Sequence, residues 1–457
     1  MKKNKARTTT VGMVDEEVLA YTAGDDAVLD EALIEADCLA TAAHVTMLSK
    51  LPLKPPLFTA AEKDRIVKEL SRIVEKARRG RFSIALADQD VHLAVERELT
   101  AQLGALGKKV HSARSRNDLV TTDLRLYAKS ELLDTITETA ALADALLDMA
   151  LEHEAVPMVG RTHMQPAMPS SVGLWASAHA ESLLDDVVLL VTAYDLNDQS
   201  PLGSAAGYGV PMPIDRQMVS DLLGFSRPIH NVMYAGNARG KIESITLGAL
   251  GQVMLTLSRF AQDLMLFTMP EFAYFTLPPG FCTGSSIMPQ KRNPDVLEII
   301  RARAAKTLSL GQFVSEVVRA SPSGYNRDIQ ETKSPLMEGF RLTRSTLWIL
   351  MRMVPGICVN RDALLAGFTP EVYATDRALE LVADGMPFRD AYHYVKAHLD
   401  ELDKMDPVEA VKMKKHAGAP AGLNFSALGG RVQNAVAYAE EERAAFEEAK
   451  RKLLRNR

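Results

Sequence analysis

The stretch Thr121–Glu154, TTDLRLYAKSELLDTITETAALADALLDMALEHE, decides how the chain folds. Leu124, Tyr127, Ala128, Leu132, Ile136, Ala140, Ala143, Leu147 and Ala150 recur every three or four residues, and no Pro or Gly interrupts them. That spacing puts one apolar stripe along one very long helix. Comparable stretches follow at Ser170–Asp198, Ala238–Met269, Asn293–Ala320 and Asp328–Val354. At 1.5 Å per residue, stretches of about thirty residues make rods of roughly 40 to 50 Å. Rods of this length bury their stripes only against one another or against partner chains, and their many alanines permit close approach. The expectation is an all-α protein whose central part is a bundle of five long helices that assembles with other subunits.

Shorter helical patterns flank the bundle. Leu29–Leu51 has helical spacing and stops at Pro52, Pro55 and Pro56. Thr59 and Glu62 then form a capping box that opens a helix running to Arg79-Gly80, and Asp88–Leu103 gives another. Nothing up to Val110 alternates with a period of two for long enough to predict a sheet. From Arg361 the pattern shortens again, through a Gly/Pro loop near Gly418 and Pro420, into a charged helix ending at Arg457. Three helical domains are expected: residues 1–112, 113–360 and 361–457.

Composition narrows the function. Of 457 residues, 47% are hydrophobic and 24% charged, enough for large packed cores. A net charge of -5, with only short basic patches, gives no footprint for nucleic acid. Three scattered cysteines, Cys38, Cys282 and Cys358, suit a reducing compartment and neither a disulfide framework nor a zinc site. Met1–Thr10 is basic and polar with no apolar run behind it, so no signal or membrane span is expected and the protein is assigned to the cytoplasm. Neither a metal nor a cofactor is expected. Ser200–Pro213 is rich in Gly, but no strand precedes it and the spacing is not that of a dinucleotide loop, so it reads as tight turns.

Polar residues gather where the rods break. Gly284-Ser285-Ser286-Ile287-Met288-Pro289-Gln290-Lys291-Arg292-Asn293-Pro294-Asp295 follows the helix-breaking Pro278-Pro279-Gly280, and the connection from Met269 to Arg292 reads as a lid. Asn293 as N-cap and Pro294 at the first helical position would start the fourth rod, where anions are favoured. A plain solvated loop with a good cap is the competing reading. His111-Ser112-Ala113-Arg114-Ser115-Arg116-Asn117-Asp118 precedes the first rod, and an ordinary cap by Asp118 or Asn117 competes with an anion site. Thr162-His163 lies in a break punctuated by Pro157, Pro166 and Pro169, whereas most of the other histidines, among them His44, His153 and His179, read as structural. Tyr325, Gln330 and Lys333 straddle the start of the fifth rod, with Gln330 and Lys333 on one helical face.

Ser115-Arg116-Asn117-Asp118, Thr162-His163-Met164-Gln165 and the Ser285 loop, in this order along the chain, resemble the motifs of the fumarase/aspartase superfamily. Gln290-Lys291-Arg292 looks most like the argininosuccinate lyases. That resemblance implies a homotetramer, with sites built from three chains, that eliminates fumarate from argininosuccinate to release arginine. It implies Ser285 as the base, Lys291 and Asn293 on the carboxylate, His163 at the leaving-group proton and Glu298 orienting His163. Ser115, Asn117 and Thr162 would bind substrate with Arg116 nearby, and Tyr325, Gln330 and Lys333 would read its arginine half. Met168 stands where many relatives carry an amide, and Met1–Glu17 lacks the Trp-Gly-Gly-Arg-Phe segment many relatives have. The rivals are fumarase, aspartase or adenylosuccinate lyase on the same fold, and a silent crystallin-like protein. Gln290 and the Tyr325/Gln330/Lys333 face speak against the first group. The polar groups retained at the motifs speak against the second, since a bundle has no need of them.

Overall fold

The computed structural model describes residues 6–9, 12–402 and 405–454. Met1–Lys5 of the polar N-terminal stretch and the last three residues of the expected C-terminal helix lie outside the described residues. The five rods are Arg116–Glu152, Val172–Asn197, Lys241–Phe267, Asp295–Ala320 and Lys333–Met353. The first, at 37 residues, is roughly 55 Å long.

Side-chain contacts fix the direction of each rod. Arg125 donates to the carbonyl of Asn197 at 3.0 Å, so the end of the second rod lies beside the start of the first. Trp175 donates to Asp263 at 2.9 Å and Thr256 to Asp186 at 2.7 Å, which reverses the third rod against the second. Ser244 meets Ser315 at 2.8 Å, and Arg301 donates to Gln262, reversing the fourth against the third. Tyr127 against Phe340 and Arg344 against Glu131 and Glu138 align the fifth with the first. The bundle is therefore up-down-up-down-up. Tyr194, Phe260 and Phe340 are among its wholly buried side chains, each worth roughly 1.5 to 3 kcal/mol of transfer free energy.

The N-terminal helices Ile34–Leu48, Ala60–Arg78 and Val91–Leu103 pack at the start of the first rod. Thr59 caps the second of them as expected, with Glu62 N–H on its hydroxyl at 3.2 Å and its own N–H on the Glu62 carboxylate at 2.8 Å. Their apolar core takes in Leu119 and Leu126 of the first rod and Phe446 and Leu453 of the last helix. That last helix, Phe425–Leu454, runs back along the first two rods. Arg443 meets Asp134 at 2.6 Å, Lys450 meets Glu35 at 3.3 Å, and Ser71 donates to the carbonyl of Leu454 at 2.9 Å. Short helices between 361 and 412 cluster at the opposite end, where Lys414 donates to the Pro169 carbonyl at 3.0 Å.

Short strand pairs depart from the purely helical reading, two of them longer antiparallel hairpins. Ala6–Thr9 pairs with Gly12–Asp15, in strands too short for alternation to register in the sequence. Pro157–Thr162 pairs with Gln165–Ser171 between the first two rods, where three prolines exclude a helix.

Lys129, in the first rod, is buried with its Nζ 2.5 Å from Asp198 and 4.8 Å above the Tyr194 ring. Removing one partner strands the other as an uncompensated charge. Lys129→Met should destabilise the protein by about 3 to 5 kcal/mol in urea denaturation, and Lys129→Met/Asp198→Leu should recover much of that loss.

Candidate active site

The sequence-predicted residues fall into two groups at opposite ends of the first rod. At its start, Ser115 is the N-cap, its hydroxyl accepting the Asn117 N–H at 3.2 Å. Asp118 completes a capping box by taking the Ser115 N–H at 2.9 Å on Oδ1. Its other oxygen takes the N–H groups of Gly203 and Ala205 at 3.0 and 2.8 Å, drawing the loop after the second rod against the first. Gly203, at φ 84°, and Ala205, at φ 53°, turn those donors toward one carboxylate. Burial pushes the Asp118 carboxyl up to about 6, against the pull of those backbone donors. The turn reading of this Gly-rich segment therefore holds, with Asp118 as its anchor.

Arg116, Asn117, Tyr325, Gln330 and Lys333 line one cavity of about 160 Å³ together with Asp26, Asp90, Arg239 and Arg327. That volume is small beside the roughly 300 Å³ at which small-molecule pockets begin. Arg116 donates through Nε to Asp90 at 2.9 Å. Gln330 lies in a 3-10 turn, Arg327–Thr332, and the rod proper begins only at Lys333. Residues three apart eclipse in a 3-10 turn, so Gln330 and Lys333 still share one side. Gln330 donates to the Thr22 carbonyl at 3.1 Å. Lys333 is not a free cation: it is buried, with its Nζ on Asp26 at 2.8 Å and on Asp30 at 2.5 Å. Arg239, which the sequence reading missed, is buried with its Nε unpartnered and its guanidinium 5.9 Å from the Tyr325 ring centroid. An arginine between Gly236 and Gly240 at the head of a rod was the available signal.

At the far end, His163 and Met164 occupy the turn of the second hairpin, with φ of 52° and 64°. Positive φ at both central residues is what a two-residue hairpin turn demands. It leaves Thr162, His163 and Gln165 exposed. Arg161 braces the turn, donating to the Met164 carbonyl at 3.2 Å while stacking 4.8 Å from the Phe272 ring. Phe272 belongs to the root of the Ser285 connection, which is itself pinned by pairing of Phe275–Thr276 with Cys358–Val359.

Beyond that root the loop from Gly284 to Lys291 is largely exposed. Its ends pair, Thr283 with Asn293 and Gly284 with Arg292. Asn293 is thus in a strand and not the N-cap: the fourth rod starts at Asp295, with Pro294 in the cap position. A residue before proline is biased to extended backbone, which the strand uses. Ser285 Oγ accepts from the N–H groups of Ile287 at 3.4 Å and Met288 at 3.1 Å. Lys291 and Glu298 are exposed, Glu298 on the first turns of the fourth rod. Among the described residues no hydrogen bond or ion pair joins His163 to Glu298 within one chain. Cys282 is half-buried and its thiol is pushed up by burial, which suits a bystander.

The bundle of five long rods, with polar breaks at both ends, belongs to a class of helical lyases. The family model described as Lyase matches residues 22–308. Argininosuccinate lyase of Sorangium cellulosum (strain So ce56) is 42% identical over 421 residues, 92% of this chain and 97% of that one. The enzyme of the same name from Parabacteroides distasonis is 38% identical over 441 residues, 96% of this chain and 97% of that one. The chain belongs to the argininosuccinate lyase family and is a carbon–nitrogen lyase. The solved structure of EDDS lyase in complex with formate shares the fold, with a TM-score of 0.77 at 23% identity over 95% of this chain and 94% of that one. Among the described residues no helix is long and apolar enough to cross a membrane.

Met164 carries a side chain at a backbone geometry that suits glycine. Met164→Gly should raise stability by about 1 kcal/mol in urea denaturation.

Proposed function

We propose that this chain catalyses the reversible elimination of fumarate from argininosuccinate, releasing L-arginine, at sites shared between subunits of a homotetramer in the cytoplasm. The observation that carries the reading is the separation of the two groups. Asn117 and His163 stand at opposite ends of a rod roughly 55 Å long, which no side chain spans. Subunits packed with their rods antiparallel bring the cavity of one chain to the Ser285 loop and His163 turn of others. The fourth rod supports such packing, with only five of its 26 residues buried. Ile299, Leu308 and Phe313 stand exposed on it, beside Trp348 on the fifth. Relatives of the same name and this chain's three free thiols fit the assignment.

In this reading the cavity takes the carboxylate-rich substrate, since Arg239 and Arg327 remain after Arg116 pairs with Asp90 and Lys333 with Asp26 and Asp30. Ser115, Asn117 and Thr162 hold the succinyl part, while Tyr325 and Gln330 meet the arginine half and Lys333 fixes the floor through Asp26 and Asp30. Ser285 removes the proton beside the carboxylate. Two backbone N–H groups on its Oγ favour the alkoxide, which supplies the activation a serine base needs. Lys291 and Asn293 meet the dianion that forms, the species whose charge exists chiefly in the transition state. His163, oriented by Glu298 of a neighbouring subunit, hands a proton to the departing nitrogen.

Purified protein given argininosuccinate should produce fumarate, followed by its ultraviolet absorbance. Ser285→Ala should lower kcat by orders of magnitude with substrate binding nearly intact, whereas Lys291→Met should weaken both. Mixing the inactive Ser285→Ala and His163→Asn proteins and allowing subunit exchange should restore part of the activity; mixtures that stay fully dead after exchange would remove the shared site.

A further inference from the structure

Behind the Arg116 cavity lies a second cluster that the proposed chemistry leaves unused. His92 and Glu96 are four apart on the helix Val91–Leu103 and so share a face. His111, from the turn before the first rod, approaches the same face. His92 Nε2 lies 3.0 Å from His111 Nδ1 and 3.9 Å from Glu96 Oε2, and the three candidate ligand atoms all fall within 4.8 Å of one another. We infer that His92, Glu96 and His111 form a binding site for one divalent transition-metal ion of the zinc type.

The geometry is close to what such an ion needs. Ligands at about 2.0 to 2.2 Å around one ion lie roughly 3.0 to 3.6 Å apart, so the two imidazoles are already placed. Glu96, half-buried on a flexible stem, closes the remaining gap. Two nitrogens and one carboxylate oxygen are a zinc-like donor set, with water completing the shell on the open side that His111 and Glu96 leave. Behind the ligands, the wholly buried Asp37 stands 3.6 Å from His92 Nδ1, an atom buried without a hydrogen-bond partner. A carboxylate behind the second nitrogen of a ligating histidine is the arrangement that orients such ligands.

Charge points the same way. Asp37 and Asp123 are wholly buried, and the oxygens of both are without a hydrogen-bond partner. Arg114, donating to Thr41 at 3.0 Å, is the cation buried among them. A bound ion would tie the helix Val91–Leu103 to the segment that delivers Ser115, Arg116 and Asn117. The inference does not depend on the substrate assigned above.

The test uses the full chain freed of metal with a chelator and titrated with zinc chloride in a calorimeter. Saturable uptake of one ion per chain, with a rise in Tm, is expected. Glu96→Gln and His111→Asn should each weaken that uptake by about tenfold or more, while the metal-free Tm stays near the parent's. Cobalt(II) gives an independent readout in the unmodified protein: its visible ligand-field bands should intensify as the ion exchanges water for a lower coordination number. Uptake equally tight in both variants, no saturable uptake, or a cobalt spectrum unchanged from the aqua ion would overturn the site.

Discussion

An α-helix is stiff and rises a fixed 1.5 Å per residue, so 37 uninterrupted helical residues set a distance that nothing local can shorten. That length decides where chemistry can sit on this chain. The rods themselves are apolar stripes packed on one another, and polar groups gather only at the breaks. Alternating rods deliver those breaks to two ends. Ser115, Asn117 and Gln330 are held at one, Thr162, His163 and Ser285 at the other. One chain therefore carries two separate polar ends, and apolar side chains stand exposed on the fourth and fifth rods between them.

Each half is held in place mainly by backbone groups. Asp118 gathers three N–H donors from two segments. The second hairpin fixes its turn by strand pairing on both sides and by Arg161 across it. Ser285 lies on the N–H groups of its own loop. Backbone donors cost no side-chain entropy to aim, which suits positions that must be ready before substrate arrives. The buried Lys333, between Asp26 and Asp30, does for the cavity floor what Asp118 does for its wall.

The rods were legible in the sequence because a period near 3.6 sustained over thirty residues has no competing explanation, and their observed bounds differ from the expected ones by a few residues. The hairpin at 157–171 was not legible as strands. Its prolines excluded a helix, but pairing partners set by a two-residue turn leave no periodic trace in so short a segment. Asn293 misled because Asn-Pro reads equally as a cap with its first helical residue and as an extended pair, and the partner strand at Thr283 decides between them. Lys333 was visible as a cation near a polar turn; that two aspartates three hundred residues earlier neutralise it is a tertiary fact. Arg239 and the His92/Glu96/His111 cluster carried weaker signals, a Gly-flanked arginine and two ligands one helical turn apart.

The last helix has a consequence for how the molecule is made. The apolar core built by the first hundred residues is completed by Phe446 and Leu453, side chains that leave the ribosome long after Val110 does. At roughly 5 to 20 residues per second the gap from Val110 to Phe446 is on the order of 20 to 70 s. Through that interval the part of this core that Phe446 and Leu453 complete faces water with no permanent cover. The nascent N-terminal helices are thus natural clients for chaperones, and loss of the final turns would expose the oldest part of the fold rather than the newest.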